Sequence, residues 1–214
     1  MMRSRLTIAF CAVALGATPS RGQSTAIKRA TSAIGAAAEQ RALKKATDKY
    51  DPAFQKYTKR YFGIGFDWHP FKAQGMAESN LKPTARSWVG ARGIMQLMPS
   101  TFQVIQSARP EFKSIDNPEF NIAAGIMHDR YLWTLYPSDM EEDERLRFMF
   151  AAYNAGEGTI KRARSAAEKA LLNAELWSSV EQIAASVKPW RYRETLGYIK
   201  TIDSNRVKLK GPGK

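Results

Sequence analysis

The residues present restrict the chemistry this chain can perform. His69 and His128 are its only histidines, and neither lies in an HExxH or beside a cysteine pair, so an ordinary metal site is not expected. There is no GxSxG elbow for a serine nucleophile, and no Walker loop or GxGxxG turn to cradle a phosphate. Both histidines read as structural or surface residues, and neither a cofactor nor a metal is expected. General acid catalysis remains open. A carboxylic acid that stays protonated near neutral pH can donate to the leaving oxygen of a glycosidic bond. Glu78 suits that task, because it closes the apolar segment Ala73 to Ala77 and precedes a loop containing Gly90 and Gly93. Burial against apolar groups raises a carboxyl pKa, and a helix C-terminus disfavours negative charge. Taken alone the signal is weak, since most glutamates at helix ends are simply solvated.

Helices must position this side chain. Asp51-Pro52 reads as a helix start that carries Phe54, Tyr57 and Tyr61 on one side and stops near Gly63. Asp67 reads as the next N-cap, with Pro70 in the first turn and a helix running to Glu78. Asn80 to Gly93 is loop-like. Further helices are expected from Pro99-Ser100, from Asn117-Pro118 to about Trp133, and after Ser138 and Glu141, which have capping-box spacing. The last of these ends in Asn154-Ala155-Gly156. Thr159 is read as the cap of a basic helix to about Leu172, Leu176 to Val187 as another, and Tyr192 to Val207 as the last. No stretch sustains period-two alternation and no fixed-period repeat occurs, so the expected class is all-α.

Several short segments recur in a telling order. Glu78-Ser79 is followed by Ser87, then by Gly90-Ala91-Arg92-Gly93-Ile94-Met95-Gln96-Leu97-Met98-Pro99-Ser100-Thr101. Asn121-Ile122-Ala123-Ala124-Gly125, Ala151-Ala152-Tyr153-Asn154-Ala155-Gly156 and Glu194-Thr195-Leu196-Gly197-Tyr198-Ile199 come next. The series resembles the soluble lytic transglycosylase (SLT) family, whose domain is an all-helical relative of goose-type lysozyme. The resemblance covers about residues 58 to 202. Asp67-Trp68 and the segment Arg145 to Gly156 look most like its membrane-bound F-type branch.

The resemblance implies roles. Glu78 matches the catalytic acid/base, and Ser87 a residue near the N-acetyl group and ring of the reacting sugar. Gln96 and Met98 match cleft residues that contact the glycan, and Tyr153 and Asn154 match a motif lining the cleft. Tyr198 matches a tyrosine whose hydroxyl lies near the catalytic carboxyl, and Glu194 a structural residue beside it. The implied reaction cleaves the β-1,4 bond between N-acetylmuramic acid and N-acetylglucosamine in peptidoglycan without water, leaving 1,6-anhydro-muramic acid ends. The residues themselves also allow plainer readings. Met98 suits a core gap, Gly90 and Gly93 a simple turn, and Tyr153 a buried ring with a satisfied hydroxyl. Trp88 departs from the pattern, standing where many relatives have proline. A goose-type lysozyme hydrolase is the alternative within the fold, and it would want a second carboxylate such as Asp116 or Asp129. A non-catalytic basic module that binds peptidoglycan is the alternative in another class.

The formal charge of +13 and pI near 9.9 suggest an acidic partner. Arg3 and Arg5, the apolar run Leu6 to Ala17 and the small residues Ser20 and Gly22 form a secretory signal pattern, too short for a membrane span. Cleavage before Gln23 is expected, with cleavage after Ala17 or an uncleaved anchor as alternatives. Removing residues 1–22 takes away three arginines and the only cysteine, Cys11, leaving +10 and no possible disulfide. Export argues for a periplasmic or secreted monomer that acts on glycan strands rather than nucleic acid, with room for docking to cell-envelope machinery. The expected layout is a signal peptide over 1–22, an N-terminal helical extension over 23–50, an SLT domain over 51–207 and a basic tail over 208–214. Ile27, Ala30, Ile34, Ala37 and Ala38 give the extension a weak helical stripe.

Overall fold

The computed structural model describes Gly35 and residues 47–210. Its contacts divide the chain into two units, Met1–Ala46 and Thr47–Lys214. The expected signal peptide lies outside the described residues. So does the expected extension, apart from Gly35, which is helical, and residues 47–50.

The second unit holds eight α-helices among its described residues: α1 (Asp51–Phe62), α2 (His69–Ser79), α3 (Pro99–Ala108), α4 (Pro118–Trp133), α5 (Glu142–Ala155), α6 (Glu157–Lys169), α7 (Trp177–Ile183) and α8 (Tyr192–Lys210). A short 3-10 turn, Ala184–Ser186, continues α7. Extended pairing among the described residues is limited to two antiparallel bridges, Arg86 with Arg92 and Arg92 with Leu97. The all-α expectation holds.

Helices α2, α4 and α5 carry the core. Phe71 to Gly75 in α2, Asn121 to Ile126 in α4 and Phe148 to Ala152 in α5 are unbroken buried runs. Runs buried on every side lie inside the bundle, and the other helices cover these three. α8 packs along α2, α1 against α4, and α5 against α4, α6 and α8. Small residues let the backbones approach closely. A Cβ on Gly125 would fall 2.7 Å from Cγ of Met95, so this glycine lets the loop before α3 seat against α4.

Several predicted caps move. Tyr50 is the N-cap of α1, and Asp51 is its first helical residue. Trp68 is the N-cap of α2, while Asp67 accepts from the His69 backbone N–H at 3.0 Å. Asn117 caps α4 as expected, accepting from Phe120 N–H at 3.0 Å. The Ser138 box does not form: Glu141 itself is the N-cap of α5 and accepts from Glu144 N–H. Gly156 separates α5 from α6, so Thr159 lies inside α6, which ends at Lys169 instead of near Leu172. Helix α8 runs past Val207 to Lys210. At the start of α5 two polar residues could cap, and chain geometry chooses Glu141 over Ser138. Tyr50, Trp68 and Gly156 start their helices without a side-chain cap bond.

Candidate active site

The last turn of α2 presents Glu78, and α8, packed along α2, presents Tyr198 opposite it. The Tyr198 hydroxyl donates to Glu78 Oε1 at 2.5 Å. Glu78 keeps part of its surface accessible. Even so, burial pushes its pKa up to about 7, partly offset by the Tyr198 hydrogen bond, which favours the carboxylate. Burial and the nearby Glu78 charge hold the Tyr198 and Tyr153 hydroxyls well above the usual phenol range, so both stay protonated.

The loop from Leu81 to Met98 forms one wall, and side chains pin its backbone. Ser79 Oγ donates to Ile94 O at 2.8 Å, tying the loop to the end of α2. Asn121, wholly buried in α4, accepts from Met95 N–H at 2.8 Å and donates to Arg92 O at 2.9 Å and Ile115 O at 3.0 Å. Gly93 sits against that amide at φ +78°, where a Cβ would lie 2.4 Å from Asn121 Nδ2. It therefore serves both the turn and the close approach.

The predicted glycan-contact residues have different surroundings. Ser87 Oγ accepts from Ala91 N–H at 2.9 Å and closes the turn that exposes Trp88. Gln96, in a left-handed conformation (φ +44°), spends its amide nitrogen on Gly93 O at 2.8 Å and Ala85 O at 3.2 Å. A polar amide between Met95 and Leu97 needs a partner, and here that partner is the loop itself. Met98 is 39% exposed, which rules out the core-filler reading. The Tyr153 hydroxyl donates to Met95 O at 2.7 Å, joining α5 to the loop. Asn154 Oδ1 accepts from Thr195 Oγ1 at 2.8 Å, and that hydroxyl accepts from Trp190 Nε1 at 3.0 Å. These residues line a groove of about 310 Å³ with Ala155, Thr159, Pro189 and Arg191. Glu194 pairs with Arg191 at the surface, 3.3 Å away, and not with Tyr198.

Neither candidate second carboxylate is both open to solvent and unpaired. Asp116 is an exposed partner of Arg86 and Arg92, at 3.3 and 3.4 Å. Asp129 is fully buried, with Oδ1 accepting from Gln74 Nε2 at 3.2 Å, and burial pushes its pKa well up. The described residues contain no cluster of three or more metal-ligating side chains. Sequence reasoning missed the loop staples Ser79 and Asn121 and the buried Gln74–Asp129 pair. Ser79 and Asn121 stand inside the recurring segments, but their hydrogen bonds span 15 and 26 residues.

The family model for the transglycosylase SLT domain matches residues 54–174. The chain belongs to this family. Among curated relatives, membrane-bound lytic murein transglycosylase F of Stutzerimonas stutzeri is 32% identical over 167 residues, 77% of this chain and 33% of the relative. The protein of the same name from Shewanella pealeana is 30% identical over 159 residues, 74% of this chain and 31% of the relative. The chain therefore spans about a third of the length of these relatives. The fold is also that of the 70-kDa soluble lytic transglycosylase of Escherichia coli, with a TM-score of 0.55, 26% identity and coverage of 76% of this chain and 24% of that one. Pseudomonas aeruginosa Slt, at 22% identity and a TM-score of 0.57, shares the fold and covers 77% of this chain and 25% of its own. This SLT chain thus has the lysozyme-like helical fold its motifs suggested.

Proposed function

We propose that this SLT chain is a lytic transglycosylase that cleaves peptidoglycan glycan strands, with Glu78 as its single acid/base. The observation that carries the reading is the state of Glu78: buried enough to hold a proton near pH 7, yet partly accessible and held by Tyr198. Glu78 would protonate the oxygen between N-acetylmuramic acid and N-acetylglucosamine as the C1–O bond breaks. The 2-acetamido group of the muramic sugar would stabilise the positive charge developing at C1. The Glu78 carboxylate would then take the proton from the C6 hydroxyl of the same sugar as its oxygen bonds C1. That closes a 1,6-anhydro ring and returns Glu78 to its acid form. Tyr198, donating to Oε1, orients the carboxyl and stabilises its ionised phase. Asn121, Ser79 and Tyr153 hold the loop that carries Ser87, Gln96 and Met98 toward the strand.

The burial of Asp129 and the ion pairs of Asp116 support this route over a hydrolysis in which either would activate water. The basic surface suits an anionic polymer such as peptidoglycan with its acidic stem peptides, and the N-terminal pattern suits action in the periplasm or outside the cell. No described helix is long and apolar enough to cross a membrane. Mass spectrometry of soluble products from purified peptidoglycan tests the reading. Anhydro-muramic ends from the wild type and none from Glu78→Gln are expected. Reducing ends would establish a lysozyme, and binding without products from either protein would establish a binding module.

A further inference from the structure

A groove of about 540 Å³ runs between α6 and the turn that follows α4, lined by Tyr136 and by Glu157, Lys161, Arg164 and Glu168 of α6. It begins three residues beyond Asn154, since Gly156 ends α5 and Glu157 opens α6. Among the described residues, none of its four charged side chains is in an ion pair. The two arginines of α6 differ in what they hold. Arg162 spends a terminal nitrogen on Thr159 Oγ1 at 3.2 Å and on Pro189 O at 3.3 Å. Arg164 is fixed by the other end of its guanidinium. Its Nε donates to Ala174 O at 2.9 Å, and the cation lies over the rings of Tyr136 and Phe148, at 5.6 and 5.3 Å. Its two terminal nitrogens have no hydrogen-bond partner among the described residues. A planar fork held in place with donors to spare, on the wall of a groove, is a preorganised receptor for a carboxylate. Lys161, exposed and one helical turn earlier, adds a second cation.

We propose that this groove takes the peptide stem of the glycan strand, with a stem carboxylate on the Arg164 fork and Lys161 beside it. The proposal rests on reading Glu78 as the acid that acts on such a strand. Charge selects this occupant. Glu157 and Glu168 stand at the two ends of the stretch of α6 that lines the groove, roughly 16 Å apart by helical rise. Acids at both ends repel a uniform polyanion such as nucleic acid or a polyphosphate chain. A stem peptide meets both signs, because it carries several carboxylates, and an amine where it holds a diamino acid. The volume also fits, since small-ligand sites span roughly 300–1,000 Å³.

The test measures binding by calorimetry to the full chain carrying Glu78→Gln, which removes turnover. Three ligands are compared: a peptidoglycan tetrasaccharide with its stems, the same compound with the stem carboxylates amidated, and the tetrasaccharide with its stems removed. The intact compound should bind roughly three- to tenfold more tightly than either of the others. Adding Arg164→Lys, which keeps a cation but loses the fork, together with Lys161→Ala should abolish most of that advantage and leave the stem-free affinity within about twofold. Equal affinity for the three ligands, absence of binding included, would overturn the proposal, and so would an advantage that survives the paired substitutions. If the pair melts early by circular dichroism, the amidated ligand and Lys161→Ala alone decide, since that side chain is exposed. Failure of the catalytic reading is a separate result: wild-type protein yielding no anhydro ends, whatever the three affinities.

Discussion

Near the start of α2, Lys72 is 2% exposed, and its ammonium lies 3.0 Å from Asp48 and 2.6 Å from Asp51. At the other end of the helix Glu78 has, among the described residues, no cation beside it, only the phenol of Tyr198. One rigid helix therefore buries one charge with partners of opposite sign and another without. Burying an ion costs several kcal/mol unless partners offset it, and at the Lys72 end two carboxylates offset it. The Glu78 end relieves the same cost by taking up a proton, and an uncompensated buried acid is what proton donation requires. Buried polarity marks structure where it is paired and chemistry where it is left unpaired beside a cleft.

The sharpest way to break that contrast is Glu78→Gln, expected to lower the yield of soluble muropeptides at least a hundredfold. The same substitution should stabilise the protein at alkaline pH. The folded-state pKa is raised from 4.5 to about 7, so the native state binds this proton more tightly than the unfolded chain. Stability from this group is therefore fully present below about pH 4.5 and is lost as pH rises to about 7. Glutamine removes that loss. Thermal melts of the variant should exceed wild type at pH 8 by about 1–3 kcal/mol and approach it at pH 4. A Glu78→Gln variant less stable at pH 8 would mean that the carboxylate is stabilised after all.

Tyr198→Phe probes the one hydrogen-bond partner Glu78 has among the described residues. It removes a donor that favours the carboxylate, so the Glu78 pKa should move further up. Activity should fall about tenfold as orientation is lost, while the alkaline limb of the rate, set near pH 7 in the wild type, shifts to higher pH. A pH–rate series with both proteins would show it, and a limb that stays in place or moves down would argue against Glu78 as the titrating group. At the other end, Lys72→Ala should cost about 1–3 kcal/mol of stability by leaving two carboxylates half-buried without their cation. Product yield per folded molecule should hold, and a selective loss of turnover in correctly folded Lys72→Ala would blur the contrast.

Much of this arrangement was legible before the fold was known, and unevenly so. Glu78, Ser87, Gln96, Met98, Tyr153, Asn154 and Tyr198 stand in short segments whose order marks the family, and the fold sets Tyr198 against Glu78 and ties Tyr153 to the loop that carries Gln96. The helices were legible because prolines and apolar spacing mark them, whereas the caps expected at Asp67, Ser138 and Thr159 fall to Trp68, Glu141 and Gly156, because backbone geometry sets a helix start and polar residue type alone does not specify it. The burial of Lys72 and Asp129 was invisible for a different reason. A lysine or aspartate inside a helix pattern reads as solvated, and only tertiary contacts show that Lys72 faces two carboxylates and Asp129 only an amide. The role of Gln96 was half legible: its need for a partner followed from its apolar neighbours, but that the partner is the backbone of its own loop did not.

Asp129 gives the smallest expected effect and the finest test of the contrast. It is buried like Lys72 and uncompensated like Glu78, yet it has no access to the cleft. Its pKa is pushed well up by burial, with the Glu78 charge adding to the rise, so at neutral pH it should be a neutral acid that accepts from Gln74. An asparagine in its place would be nearly isosteric and already neutral. Asp129→Asn should therefore leave the neutral-pH stability within about 1 kcal/mol of wild type. It should also gain on wild type as pH rises, since the native state holds the Asp129 proton more tightly than the unfolded chain and loses that advantage on ionisation. Turnover should be nearly unchanged, because a neutral group is exchanged for a neutral group beside Glu78. A large loss of activity, with the alkaline limb moving down, would mean that Asp129 carries charge during the reaction. The divide would then run between cationic and anionic burial on these helices rather than between paired and unpaired groups.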